Sequence, residues 1–428
     1  MAPAVDKPFG LGSGIGLVVA NMIGAGVFLS TGFMAQSLPP GHILLAWVVG
    51  CVLALCGARA YSEVAQKVPG SGGEYRYLST LLHPALGSLA GWASLLVGFS
   101  APIAVDALAA GAFARAVVPG LNATALAVAL IVGLTAVHAL RLDVSIKTQG
   151  VLVAVKLLLI FGFIAVGLVA GSLAWPTWNP PSGPPASFPL ADFAGSLFFI
   201  AFAFSGWNAA VYAAGEFKDP GKDVPRAMLL GAGGVGALYL VMNYLFVANL
   251  SPQDGTIVFR YDSAQVTLGH AVMQRWAGEG AATAMSAVIV LLFISAMSAM
   301  ILLGPRVYAA MAQDGYLPRA LAGTDGKPPT GAVLLQGALA LTLVFTHSLK
   351  EALSNVGAIL VLFSALTAAG LFKGKVSLAG RAAAGVYVLS SAWMLYFGVK
   401  RNPTLFLWVL AAAALALGYH ALKKRQPA

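Results

Sequence analysis

The chain has 428 residues, of which 59% are hydrophobic and only 9% charged, and its mean hydropathy is +0.84. Ordinary soluble domains carry about 25% charged residues, so this composition excludes a soluble globular protein and describes a polytopic membrane protein. The net charge of +10 does not indicate a nucleic-acid partner, because the basic residues stand singly among the loops and form no run or face.

The start, "MAPAVDKPFG", lacks a basic n-region, so the first apolar span is expected to be retained rather than cleaved as a signal. A helix of roughly 20 apolar residues crosses about 30 Å of hydrocarbon. In chain order such spans are expected at Leu11–Gln36, Ile43–Val64, Ala85–Val118, Ala123–Leu140, Ile146–Gly171 and Leu190–Gly215, and then at Ala227–Leu250, Ala281–Ala312, Ala332–Phe345, Ala352–Leu371, Ala382–Val399 and Thr404–Leu422. This predicts an all-α protein with twelve transmembrane helices. With the N-terminus inside, 18 of the 25 Lys and Arg residues fall in cytoplasmic segments, six fall outside, and Lys156 lies within a span. The bias predicts cytoplasmic N- and C-termini.

Between the fifth and sixth spans the run "WPTWNPPSGPPASFP" (Trp175–Pro189) is too polar and proline-rich for a helix. It separates a first candidate repeat, residues 1–171, from a second, 190–371, with 172–189 as the outer connection and 372–428 as two additional helices and a tail.

The first span contains "NMIGAGVFLS" (Asn21–Ser30), with Gly24 and Gly26 around one alanine. A glycine pair in a membrane helix can be a close-packing face, or it can mark unwound backbone, which is tolerated only where protein or a cavity receives its polar groups. The first span after the proline run is also interrupted, at Ser205-Gly206 followed by Trp207 and Asn208. Paired interruptions in corresponding helices favour a binding cavity between them. Unwinding at Gly24-Ala25-Gly26 would expose N–H groups at the start of a half-helix, which suit a carboxylate. Unwinding at Phe202 to Ser205 would free carbonyls that suit an ammonium group. The ligand that satisfies both is an α-amino acid.

Several motifs carry a family resemblance: "IGAGVF" (Ile23–Phe28), "YSEVAQKVPGSGGEYRYL" (Tyr61–Leu78), "FAFSGWNAAVYAAGEFKDPGKDVPRAM" (Phe202–Met228) and "GPRVYAAMAQDGYLP" (Gly304–Pro318). In this order they resemble the amino acid–polyamine–organocation (APC) superfamily over about the first 370 residues, and the sixth-span motif is similar to the L-type amino-acid transporters. The resemblance implies a LeuT-like five-plus-five inverted repeat with discontinuous helices 1 and 6, in a multi-pass protein of the cell's inner (plasma) membrane. It implies that backbone around Ile23, Gly24, Ala25 and Gly26 binds a substrate carboxylate. The carbonyls of Phe202, Ala203 and Ser205 would bind its amine, with Phe202 as an aromatic gate. Ala25 stands where many members have Ser, which removes a hydroxyl but leaves the amides.

Lys156 lies about 15 Å into its span at 1.5 Å per residue. A buried lysine at that depth must face the interior, lose its proton or meet carbonyls. By resemblance it stands where sodium-coupled relatives bind a cation and would tie the first and eighth helices together through Ser295 or Ser298, so sodium coupling is not expected. Asp106, in "APIAVDALAAG", is expected either in a solvated outer vestibule, paired structurally, or in a proton-coupling or cation-selecting role. Glu216 is expected to gate the cytoplasmic side through ion pairs with loop residues.

Other features point away from chemistry. "GAGGVG" (Gly231–Gly236) matches a dinucleotide pattern but lies within a predicted membrane helix and follows no strand, so helix packing is expected. The six histidines show no ligand spacing, and Cys51 and Cys56 share one helix, so no metal, cofactor, disulfide framework or enzymatic activity is expected. No cysteine falls in a predicted outer loop, so a disulfide-linked partner subunit of the kind that L-type transporters have is not expected. The expected pocket walls, Pro102, Ile103, Phe202, Ser205, Asn208, Tyr239 and Asn243, suit a neutral side chain. The expected function is sodium-independent transport of neutral L-amino acids by alternating access, by exchange or with protons. Export of methionine and branched-chain amino acids, or transport of a cationic amino acid or polyamine, are the alternatives. A channel would show a ring of like side chains or a carbonyl filter, and a ligand sensor a signalling domain; neither is legible.

Overall fold

In hydrocarbon, helices form because every backbone polar group must find an internal partner, so the places where a helix stops carry information. The computed structural model describes residues 7–140, 142–178, 188–251, 268–323, 329–345, 349–401 and 405–425. The first span is two helices, α1 (Leu11–Met22) and α2 (Ala25–Ala35). Then come α3 (Pro40–Lys67), which begins on a proline whose missing N–H costs nothing at that position, and a short α4 (Gly73–Leu81). The third span runs as α5 (Pro84–Ala93), a π-helical stretch Ser94–Ser100, and α6 (Ala101–Val117). The wide turn accommodates Pro102, whose ring would collide with a regular preceding turn.

The chain continues as α7 (Ala123–Leu140) and α8 (Leu142–Ala170). The sixth span is α9 (Leu190–Ala203) and one turn, α10 (Ala209–Tyr212), shorter than the expected Leu190–Gly215. Beyond it lie α11 (Pro220–Ala248) and α12 (Leu268–Gln313), the latter bent at Gly278, where φ is 82°. The chain closes with α13 (Thr330–Val344), α14 (Leu349–Ala369), α15 (Leu378–Arg401) and α16 (Leu405–Arg425). Among the described residues nine helices are long and apolar enough to cross a membrane, and three shorter apolar helices, Leu190–Ala203, Thr330–Val344 and Val409–Ala421, coincide with the other expected spans. Part of the proline-rich connection, 179–187, lies outside the described residues, as do Arg260 and Lys327.

The two broken spans sit at the centre. In its most apolar stretch the first span is 94% buried inside the protein, against 22% for the α8 span and 28% for the α15 span. Helix α1 packs on α8, α11 and α12, while α2 packs on α9 and α12. The "GAGGVG" segment is helical and serves packing: a Cβ on Gly231 would lie 2.6 Å from Val18, and one on Gly236 would lie 2.6 Å from Cys51 Sγ. Contacts gather at two ends. One joins Phe9 to Phe217, Gly215 to Ser71 and Tyr75 to Asp314; the other joins Gly41 to the Thr177 carbonyl and Asn249 to Ser172.

Candidate functional site

The first break is shorter than expected and begins earlier. Ile23 (φ −81°, ψ 93°) and Gly24 (φ −138°, ψ −148°) leave the helix, whereas Ala25 and Gly26 already belong to α2. The first N–H groups of α2 have no intrahelical acceptor, and no side chain caps them. Gly26 is instead a packing glycine: a Cβ there would lie 2.4 Å from Ala203 Cα. Both readings of the glycine pair therefore apply, one to each glycine.

The second break falls at Phe204–Asn208, later than the expected Phe202 to Ser205, because α9 continues through Ala203. Gly206 has φ 97°, a left-handed conformation that glycine adopts without strain, and a Cβ on it would strike Asn21 Nδ2 at 2.5 Å. Each broken helix thus presses a glycine onto the other. Two of the three carbonyls expected to await an amine have partners: Phe202 O accepts from Ser205 N at 3.0 Å, and Ala203 O lies 3.1 Å from the Tyr239 hydroxyl. The same hydroxyl donates to Met22 O at 2.6 Å, so Tyr239 joins the two breaks. Phe202 is buried at the end of α9, and Ser205, half-exposed, lines a cavity with Asn208.

Lys156, near the middle of α8 and 1% exposed, donates to Ala20 O at 2.9 Å and also to Ile23 O. It caps the C-terminal end of α1, where carbonyls lack partners and the helix dipole favours a cation. Neither Ser295 nor Ser298 holds it, contrary to expectation. Ser298 Oγ pairs with His138 Nε2 at 2.8 Å, the Ser295 carbonyl accepts from Gln149 Nε2 at 3.5 Å, and Ser295 Oγ is buried with no hydrogen-bond partner. Helix α12 reaches the break through Ala296, whose Cβ would lie 3.1 Å from a Cβ on Gly24.

Asp106 is not in a vestibule. It is 2% exposed, and its Oδ2 would be 3.6 Å from a Gly24 Cβ. Ile103, fully buried, stands one turn before it on the same face of α6. Asn208, expected in the substrate pocket, instead donates to Glu74 Oε1 at 2.6 Å and bonds the Tyr212 hydroxyl at 2.9 Å. Tyr61 also donates to Glu74 Oε1, at 2.9 Å. Burial pushes the Glu74 carboxyl above the ordinary carboxylate range, although these donors pull it the other way. Asn243 donates to Tyr239 O at 2.8 Å and accepts from Thr31, which in turn accepts from Trp47 Nε1.

Glu216 pairs not with loop residues but with Arg306 of α12, Nε to Oε1 at 2.5 Å and Nη2 to Oε2 at 2.8 Å. The fork is bidentate, a strong geometry, and Arg306 is 6% exposed. Phe9 seals the same end: its N–H donates to Glu216 O and its carbonyl accepts from Lys218 N. Glu216→Gln is expected to lower stability by about 1.5–3 kcal/mol, because the buried guanidinium loses its counter-charge while water at the partly exposed carboxylate side softens the loss. Thermal melting in detergent checks this, and an unchanged midpoint would refute the pairing as a stabilising latch.

Two interlocked helix breaks thus lie at the centre of the protein, flanked by a buried lysine. The comparisons with known proteins give the family. A family model described as amino acid permease matches residues 9–418. The chain belongs to the amino acid permease family. Relatives of this permease are amino-acid transporters of the APC superfamily. The mouse (Mus musculus) large neutral amino acids transporter small subunit 2 is 28% identical over 384 residues, covering 86% of this chain and 70% of the relative. The mouse Asc-type amino acid transporter 1 is 27% identical and covers 74% and 61%; the mouse b(0,+)-type amino acid transporter 1 is 25% identical and covers 86% and 76%.

Glu74, Tyr239 as a bridge, Arg306 and the Thr31–Asn243 pair were not singled out for these roles from sequence. Glu74 and Arg306 stand inside motifs that carry the family resemblance. The available signal is a charged residue directly beside or one residue beyond a glycine of those motifs, Gly73-Glu74 and Gly304-Pro305-Arg306.

Proposed function

We propose that this permease moves neutral L-amino acids across the plasma membrane by alternating access, without sodium, by exchange or with protons. In this reading it is a twelve-span, LeuT-like five-plus-five repeat with cytoplasmic termini. The observation that carries the proposal is the contact of the two breaks, Gly26 on Ala203 and Gly206 on Asn21. It brings uncapped N–H groups of α2 beside the carbonyl end of α9, and a carbonyl that already accepts one hydrogen bond retains a second lone pair for an ammonium group. The relative named for large neutral amino acids supports the substrate class.

Lys156 supports sodium independence, because a metal cation seated on the Ala20 and Ile23 carbonyls would have to displace the ammonium group already there. Cys51 and Cys56 both belong to α3, so the proposal includes no disulfide-linked partner. The test is counterflow of a panel of radiolabelled amino acids into proteoliposomes. Uptake of leucine-like or small neutral amino acids, dependent on preloaded substrate and equal with sodium or potassium outside, is expected. Sodium-dependent uptake, or no counterflow of any amino acid by folded protein, would refute it.

A further inference from the structure

Glu74 has no part in the site as expected from sequence, yet its surroundings are those of a binding group. The residue is 6% exposed, Oε1 receives Tyr61 and Asn208, the Tyr212 hydroxyl stands within reach of the carboxyl, and Oε2 is buried without a direct hydrogen bond. Two cavities meet at this side chain. One is lined by Ser205, Trp207, Asn208 and Tyr387, the other by Ser94, Phe99, Tyr212 and Phe363. The titratable groups facing it are phenols: Tyr61 of α3, Tyr77 of α4, Tyr212 of α10 and Tyr387 of α15. Among the described residues no Lys or Arg forms an ion pair with it.

We propose that Glu74 is a proton-binding site whose occupancy controls the second helix break. A proton from water at the Phe9 end forms an O–H bond at Oε2 and returns to water when that bond breaks; no other bond changes. The ionised carboxylate receives charge-assisted hydrogen bonds from Asn208 and Tyr61, roughly twice as strong as neutral ones, which clamp the Phe204–Asn208 segment to α3 and α4. Protonation weakens the clamp and frees the break to move. Acid therefore speeds exchange, and neutral to alkaline pH slows it. The inference deepens the transport reading and rests on it.

Counterflow is measured with the same pH on both sides of the membrane, varied from about 5.5 to about 8.5. The wild-type rate is expected to fall roughly three- to tenfold across the range. Glu74→Gln, which mimics the protonated form, should be flat at the acid-limb rate. Tyr61→Phe removes a donor to the anion, so its midpoint should rise by about one pH unit. A flat wild-type profile, or Glu74→Gln with the wild-type midpoint, would overturn the proposal. Where Glu74→Gln does not fold, an unmoved Tyr61→Phe midpoint overturns it. Should folded protein exchange no amino acid at any pH, the transport reading itself fails. The site is then judged by fluorescence of Trp207, whose ring lies 4.7 Å from that of Tyr61: a pH step that shifts in Tyr61→Phe supports Glu74, and its absence overturns it.

Discussion

Lys156→Met is expected to reduce counterflow more than about tenfold while leaving the protein folded in the membrane. Methionine fills nearly the same volume, so the effect isolates the ammonium group. That group donates to the Ala20 and Ile23 carbonyls, the last acceptors of α1 before the break. A hydrogen bond to a charged group contributes about 1.5–3 kcal/mol, and a buried acceptor left without a donor costs a similar amount. Losing both bonds releases the end of α1 from α8 just where Gly24 turns the chain. The first half-helix then takes several orientations rather than one, and the α2 N–H groups would no longer meet the proposed ligand in a fixed arrangement. Radiolabelled counterflow, with size-exclusion behaviour in detergent as the folding control, checks this. A Lys156→Met protein that exchanges at the wild-type rate would show that these bonds do not position the break.

Gly26→Ala is expected to be the more damaging change, with counterflow reduced more than about a hundredfold and a lowered melting temperature. The new methyl would stand 2.4 Å from Ala203 Cα and 2.7 Å from its Cβ. Carbon atoms prefer about 3.5–4.0 Å, so α2 and α9 must separate by about 1 Å, at the two residues where the halves of the proposed ligand would be held. Overpacking of this kind costs about 1–3 kcal/mol, and the loss of alignment adds to it. Gly16→Ala is the control: nothing lies within 4 Å of its would-be Cβ, so replacing a helix glycine there should be neutral or slightly stabilising. Equal activity of the two variants would refute the interlock.

The helix positions were legible because apolar length in hydrocarbon leaves few alternatives to a helix. Ala123–Leu140 was placed to the residue, and both interruptions were found from glycine in apolar context. The limits of each break were not legible. Gly24 and Gly26 look alike in sequence, and only the approach of Ala203 makes one a break and the other a contact. Lys156 could be placed in the interior from the cost of its charge. Its choice of the α1 carbonyls over Ser295 or Ser298 depends on the extended backbone at Ile23, which no spacing encodes. Asp106 stays open in the sequence between a vestibule and an interior role, because the third span is longer than one crossing needs and its outer end has no marker; the fold buries it beside Gly24. Glu216 and Arg306 are separated by 90 positions, and their pairing emerges only when α12 packs beside the second break.

The Tyr239 hydroxyl has a single hydrogen and two acceptors, Met22 O at 2.6 Å and Ala203 O at 3.1 Å. It can turn its hydrogen from one half of the molecule to the other without moving its ring and without any net change in charge. If the halves rock, the count of satisfied groups stays constant while the identity of the satisfied one alternates. A single rotating O–H bond would then act as a hinge pin that keeps one hydrogen bond in either position, as the proposed carrier, visiting both, would require.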